Sequence, residues 1–182
     1  MYIHCSTGKS QLPRIIETAK ILDGALRITN AVQSLDNNVL DSIKRTNLHN
    51  LQDYIKSMDT ISEPDIILPL PNETIKSFMN GLNELLDTKA PIRFTVHPTL
   101  LLSNTDMLKE YKNGKHGLVK KYRQNQNLVG LVDNKLVCET ECNIFATETM
   151  PEKEVMLARK YVVLMDALLR EEPMSEIFYY LD

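Results

Sequence analysis

Two runs decide how this chain is read: Ala31-Val32-Gln33-Ser34-Leu35-Asp36, and Asp65-Ile66-Ile67-Leu68-Pro69-Leu70-Pro71-Asn72-Glu73-Thr74. Each is apolar and strand-like, ends on polar residues, and passes directly into a helical pattern. Groups at the carboxyl ends of parallel strands face the ligand crevice in βα architectures. The polar residues closing these runs are therefore the first candidates for a site.

Working outward towards the amino terminus, Tyr2 to Cys5 reads as a short strand. Ser10 can cap a helix whose Ile15, Ile16, Ala19 and Leu22 share one face, with Pro13 in its first turn and Gly24 as its C-cap. Ala25 to Val32 is then a strand, Asp36 to Arg45 a helix, and Leu48, Leu51, Ile55 and Met58 mark another helical face. The strand Asp65 to Leu70 follows. A helix capped by Asn72 carries Ile75, Phe78, Leu82 and Leu85, and Pro91 to Leu102 is extended. Such alternation indicates a parallel sheet with right-handed crossovers.

After Asn104 the pattern changes. A short helix through Met107, Leu108 and Tyr111 ends near Gly114, and Asp133-Asn134 turns the run Asn127 to Val132 into Lys135 to Glu141 as a hairpin. Thr149-Met150-Pro151-Glu152 has the form of a capping box, opening a helix to about Arg170. Val155, Ala158, Val162, Met165 and Leu169 make it a packing helix. Ser175 to Leu181 reads as a final short helix.

The chain has 182 residues, of which 43% are hydrophobic, enough for one domain with a real core. A net charge of −3 argues against a nucleic-acid stripe. Lysines and arginines thicken from Lys109 to Arg123, but Glu110 interrupts them, and the stretch reads as a solvated face. No apolar run approaches the ~20 residues of a membrane span, and the amino terminus lacks the pattern of a secretory signal. Three cysteines without framework spacing point to a reducing cytoplasm.

Gln33, Ser34, Arg45 and Asp65 are the candidates for binding chemistry. Gln33 and Ser34 can offer donors and acceptors to a sugar or amino acid, Arg45 can grip a carboxylate through its fork, and Asp65 can accept from an ammonium or ribose hydroxyl. The same residues have plainer roles open to them. Gln33 and Ser34 can satisfy loop backbone, Arg45 can be a cation at a helix C-terminus, and Asp65 can simply open a strand. The histidines His4, His49, His97 and His116 show no metal-ligand spacing; His97, near a strand end, is a candidate substrate-facing group.

The run from Val32 to Asp36, then Val39-Leu40 and Ile43-Lys44-Arg45, then Asp65 to Thr74, closely resembles the fourth and fifth strand motifs of radical S-adenosylmethionine enzymes. In that family a Gln and an Arg twelve positions later contact the methionine and ribose parts of the cofactor. Gln33 and Arg45 keep that separation, and Leu70-Pro71 and Glu73-Thr74 keep the frame of the fifth motif, with Pro69 and Asn72 where the family usually has glycine. His97-Pro98-Thr99-Leu100-Leu101-Leu102 through Met107 resembles the sixth strand of the cobalamin-associated branch. Val137 to Thr140, Met150 to Glu154 and Ala158-Arg159 are similar to that branch's tail.

The resemblance implies an α/β fold: the C-terminal part of a (β/α)6 partial TIM-type barrel over residues 1–115, followed by a small hairpin-and-helix extension over 116–182. It implies S-adenosylmethionine at Gln33, Ser34, Arg45 and Asp65, a small-molecule substrate, and cobalamin as a further candidate cofactor. The family's 4Fe-4S cluster needs a Cys-x-x-x-Cys-x-x-Cys loop, which this sequence lacks; Cys138 and Cys142 have only the first spacing, and no metal ligand is assigned here. The cluster is thus expected from a missing N-terminal half or partner subunit, an expectation to which the abrupt start of the chain adds. A sheet cut along one edge is expected to self-associate unless a partner covers it. Two alternatives stay open: a non-catalytic remnant or interaction module of the same fold, and an unrelated α/β nucleotide-binding domain.

Overall fold

A computed structural model describes residues 3–6, 12–23, 25–45, 63–87 and 95–169. In chain order the elements are β1 (Ile3–Ser6), α1 (Leu12–Ile21), β2 (Leu26–Gln33), α2 (Asn37–Ser42), β3 (Glu63–Leu68), α3 (Ile75–Leu86), β4 (Thr95–Pro98), α4 (Asp106–Lys112), β5 (Val119–Val132), β6 (Lys135–Ala146) and α5 (Glu152–Leu169). The fold is mixed α/β, with one parallel and one antiparallel sheet. β1 to β4 lie side by side in sequence order and all run parallel. This winding has no reversal of strand order, unlike the doubly wound sheets in which a reversal makes the ligand crevice.

Alternate residues of the sheet separate its two faces, because successive strand side chains point opposite ways. Val32, Ile66 and Leu68 are buried against Phe78, Leu82 and Leu85 of α3 and against Met150, Val155, Ala158 and Met165 in and before α5. The apolar stripes expected on both helices thus meet over one face of the sheet. Ala31, Gln33, Asp65, Ile67 and His97, of the other parity, line a cavity.

Local chemistry explains the element boundaries. Asp36 caps α2, its Oδ1 accepting from Asn38 N (2.8 Å) and Val39 N (3.1 Å). That helix is shorter than the expected Asp36 to Arg45, since it gives way at Ile43 and Lys44 turns to φ +55°. The cap of α3 is Thr74 and not Asn72. Thr74 Oγ1 accepts from Ser77 N (3.0 Å) while Ser77 Oγ accepts from Thr74 N (2.9 Å), a reciprocal capping box. Asn72 sits in the preceding turn at φ +63°, a conformation that asparagine tolerates better than most side chains. α4 ends at Lys112, with Gly114 at φ +68°. α5 opens at Glu152, later than a Thr149 cap would place it, and Thr149 donates instead to the Glu73 carbonyl (2.6 Å).

β5 and β6 form the expected hairpin around Asp133 and Asn134, both at positive φ as a tight primed turn needs. Each strand extends well beyond the expected limits at the end away from the turn. There β6 meets the continuation of β4: Leu101 N donates to Cys142 O (2.8 Å) and Ile144 N to Thr99 O (2.9 Å). Ile144, Leu101 and Leu118 form a second small core against Met107, Leu108 and Tyr111. The hairpin is thereby bound to the β4 side of the sheet.

Among the described residues no helix is long and apolar enough to cross a membrane. The expected caps Ser10 and Gly24, the helix over 48–58, the first residues of the 91–102 segment and the helix over 175–181 lie outside the described residues.

Candidate functional site

The cavity over the open face of the sheet has a volume of about 710 Å³ and takes walls from β2, β3, β4, the segment after α2, and the hairpin. That volume lies within the usual range of small-molecule sites, roughly 300–1,000 Å³. Gln33, Arg45, Asp65 and His97 all line it.

Gln33 is the last residue of β2, where pairing with β3 slips out of register. Its φ is +66°, and Ser34 N donates to Val32 O across it (2.9 Å), closing a three-residue turn. Turns of this hand around a non-glycine residue are rare and strained, and such strain collects at ligand sites. Ser34, one residue on, faces the interior. It is buried, donates to Glu73 Oε1 (3.2 Å), and accepts from Asp36 N (3.3 Å). It does not join the cavity wall, contrary to the expectation from its neighbour.

Glu73 is the partner that holds it there. The side chain is 1% exposed, its Oε2 accepts from Leu70 N (3.4 Å), and burial pushes its carboxyl up to about 8 against the weaker opposing pull of these hydrogen bonds. Near neutrality it is therefore mostly a protonated acid. In that form no charge is buried, and its two oxygens still accept from Ser34 Oγ and Leu70 N. This buried bridge joins the end of β2, which carries Gln33, to the loop after β3, which carries Leu70.

Asp65 lies within β3 with its side chain on the cavity face, beside His97 of the neighbouring strand. The contact from His97 Nε2 to Asp65 Oδ1 is 3.3 Å, and both groups are partly open to solvent. Arg45 follows α2, tied by its main-chain N to Leu40 O (2.8 Å); its side chain is exposed and has no ion pair among the described residues. Ile43, Ile67, Leu70 and Met107 supply an apolar lining between these groups.

The hairpin adds a charged pair that sequence reasoning missed. Arg123 donates through Nε to Glu141 Oε2 (2.8 Å) and lies with it in the cavity wall; Asn125 donates to Glu141 Oε1 (3.1 Å). The two residues face each other across β5 and β6. A cross-strand pair of this kind could have been found only by extending the hairpin to its true length.

Among the described residues the cysteine side chains do not suit an iron–sulfur cluster. Cys138 and Cys142 are free and lie on one extended strand, which at about 3.3 Å per residue holds their main chains roughly 13 Å apart. Among the described residues no group of three or more His, Cys, Asp or Glu side chains could hold a metal ion. Fold and site define an α/β protein with a polar-and-apolar cavity along one face of a parallel sheet. No family model and no curated protein matches the chain.

Proposed function

We propose that this chain is the C-terminal portion of a radical S-adenosylmethionine barrel and that its cavity binds S-adenosylmethionine. The observation that carries the reading is that Gln33, Arg45 and Asp65, drawn from separate parts of the sequence, line one cavity. The architecture supports it as well. Parallel strands wound in one direction, with helices over one face and a cavity over the other, are what an arc of a (β/α) barrel requires.

Each group has a natural task toward an amino-acid nucleoside. Arg45 takes the carboxylate through its planar fork. Asp65 accepts from the ammonium or from ribose hydroxyls, with His97 fixing its orientation. Gln33 donates and accepts at once, as a hydroxyl-rich ligand demands. Ile67 and Leu70 offer apolar surface for the base.

Reductive cleavage of the sulfonium would need an iron–sulfur cluster, and this chain's cysteines do not provide one. The cluster would come from a further segment or a partner subunit, and the present residues bind and orient. The same cysteine set favours, as a second reading, a protein of this fold that binds without reacting. Anaerobic iron and sulfide reconstitution separates the two: cluster absorbance only with a co-expressed cysteine-bearing partner supports a split enzyme, and none with any such partner supports the binding protein.

Calorimetric titration of the full chain with S-adenosylmethionine tests the ligand. Saturable binding is expected, weakened roughly tenfold or more in Arg45→Ala through loss of a charge-assisted bidentate contact. Absence of binding, or equal affinity in the variant, would overturn the proposal.

A further inference from the structure

The cavity carries a second guanidinium, at its other end. Arg45 lies beyond β2, whereas Arg123 projects from the hairpin on the far side of β4. A ligand carboxylate held at Arg45 leaves Arg123 without a role in binding it.

Arg123 is not used up by Glu141. Nε and Nη2 contact a single carboxylate oxygen, and the side chain remains 59% exposed. The Nη1 end of the fork is left over for another acceptor.

A second cation lies near enough to Arg123 to be repelled by it. Arg159 of α5 stacks its guanidinium 5.3 Å from the centre of the Phe145 ring, whose other near cation is Lys121 at 4.0 Å. Lys121 is committed to Glu152 (2.8 Å) and Arg123 to Glu141, so Arg159 is the member of this group with no carboxylate of its own among the described residues. Its Nη2 is buried and has no hydrogen-bond partner among the described residues. Burial and repulsion from Arg123 both disfavour its charge. A half-buried, uncompensated guanidinium projects its field further than a hydrated one, and here it reinforces Arg123 at the cavity wall.

Resting on the reading of the cavity given above, we propose that Arg123, with Arg159 near it, forms a second anion subsite that takes the carboxylate of an acidic small-molecule substrate. The substrate would lie between the hairpin and the ligand held by Arg45. Arg159 is a positioning residue: it acts through its charge on Arg123 and does not touch the substrate.

The test follows the side-chain Nε–H resonance of Arg123 by NMR in the full chain, titrated with glutarate, acetate or inorganic phosphate against sodium chloride at matched ionic strength. A saturable response to the carboxylates is expected, weakened roughly tenfold in Arg159→Gln and restored in Arg159→Lys, which keeps the charge. A response equal to that of chloride, saturation by phosphate alone, or an unchanged response in Arg159→Gln would overturn it. Circular dichroism of each variant confirms that it is folded. Arg45→Ala separates the two sites: it should weaken S-adenosylmethionine binding roughly tenfold or more and leave the Arg123 response intact. Loss of the Arg123 response in a protein that still binds S-adenosylmethionine rejects the subsite alone.

Discussion

At the scale of single residues, Glu73 ties the two halves of the site together from behind, and it does so as a neutral acid. Its ordinary value near 4.5 describes the unfolded chain, and about 8 describes the folded one. Below the lower value both states are protonated and burial of this group costs nothing. As pH rises from there to about 8 the unfolded state loses its proton first, so stability falls, by roughly 3–5 kcal/mol in all, and then levels off. Glu73→Gln imitates the protonated acid in shape and in carrying no charge. Urea denaturation at a series of pH values should show the variant matching the native protein near pH 4 and exceeding it above neutrality. Parallel curves would mean that the carboxyl is not held neutral. Nothing in Pro71-Asn72-Glu73-Thr74 announces this burial, because the stretch has the composition of an exposed turn. Gln33 is the converse case: its place at a strand end was legible, but the positive φ that turns it into the cavity depends on the slip in pairing with β3.

At the scale of elements, the parallel strands and the helices on α3 and α5 were legible because their information is local: apolar alternation, helical spacing, and a polar residue able to cap. The cap of α3 was misplaced by two residues because Asn72 and Thr74 are both good caps, and only the turn geometry decides between them. The extent of the hairpin was not legible. Its outer part is exposed on both faces and shows no alternation, while its inner part is fixed by contacts with residues after β4. With it went Arg123 and Glu141, which enter the cavity only because β6 docks there. Ile144 is the anchor of that docking, fully buried between Leu101 and Leu118. Ile144→Ala should cost about 2–5 kcal/mol if the hairpin unfolds together with the sheet. Hydrogen exchange gives the control, since faster exchange in β5 and β6 with β2 and β3 unchanged would show instead that the hairpin opens independently.

At the scale of the whole molecule, α3 and α5 cover one face of the sheet, the cavity occupies the other, and the hairpin closes the β4 side. The remaining edge is β1, which among the described residues pairs only with β2. Free strand edges invite pairing, and sizing chromatography at low salt should show association beyond the monomer. A single sharp monomer peak would count against an open edge. The central claim concerns the cavity, and the most direct measurement locates the ligand within it. NMR of the full chain with S-adenosylhomocysteine, which carries the same amino-acid and nucleoside parts without the reactive sulfonium, should perturb the Gln33 side-chain amide, the Arg45 Nε–H and the His97 ring together and to saturation. Perturbations that miss these three groups, or none at all at saturating ligand, would contradict the assignment.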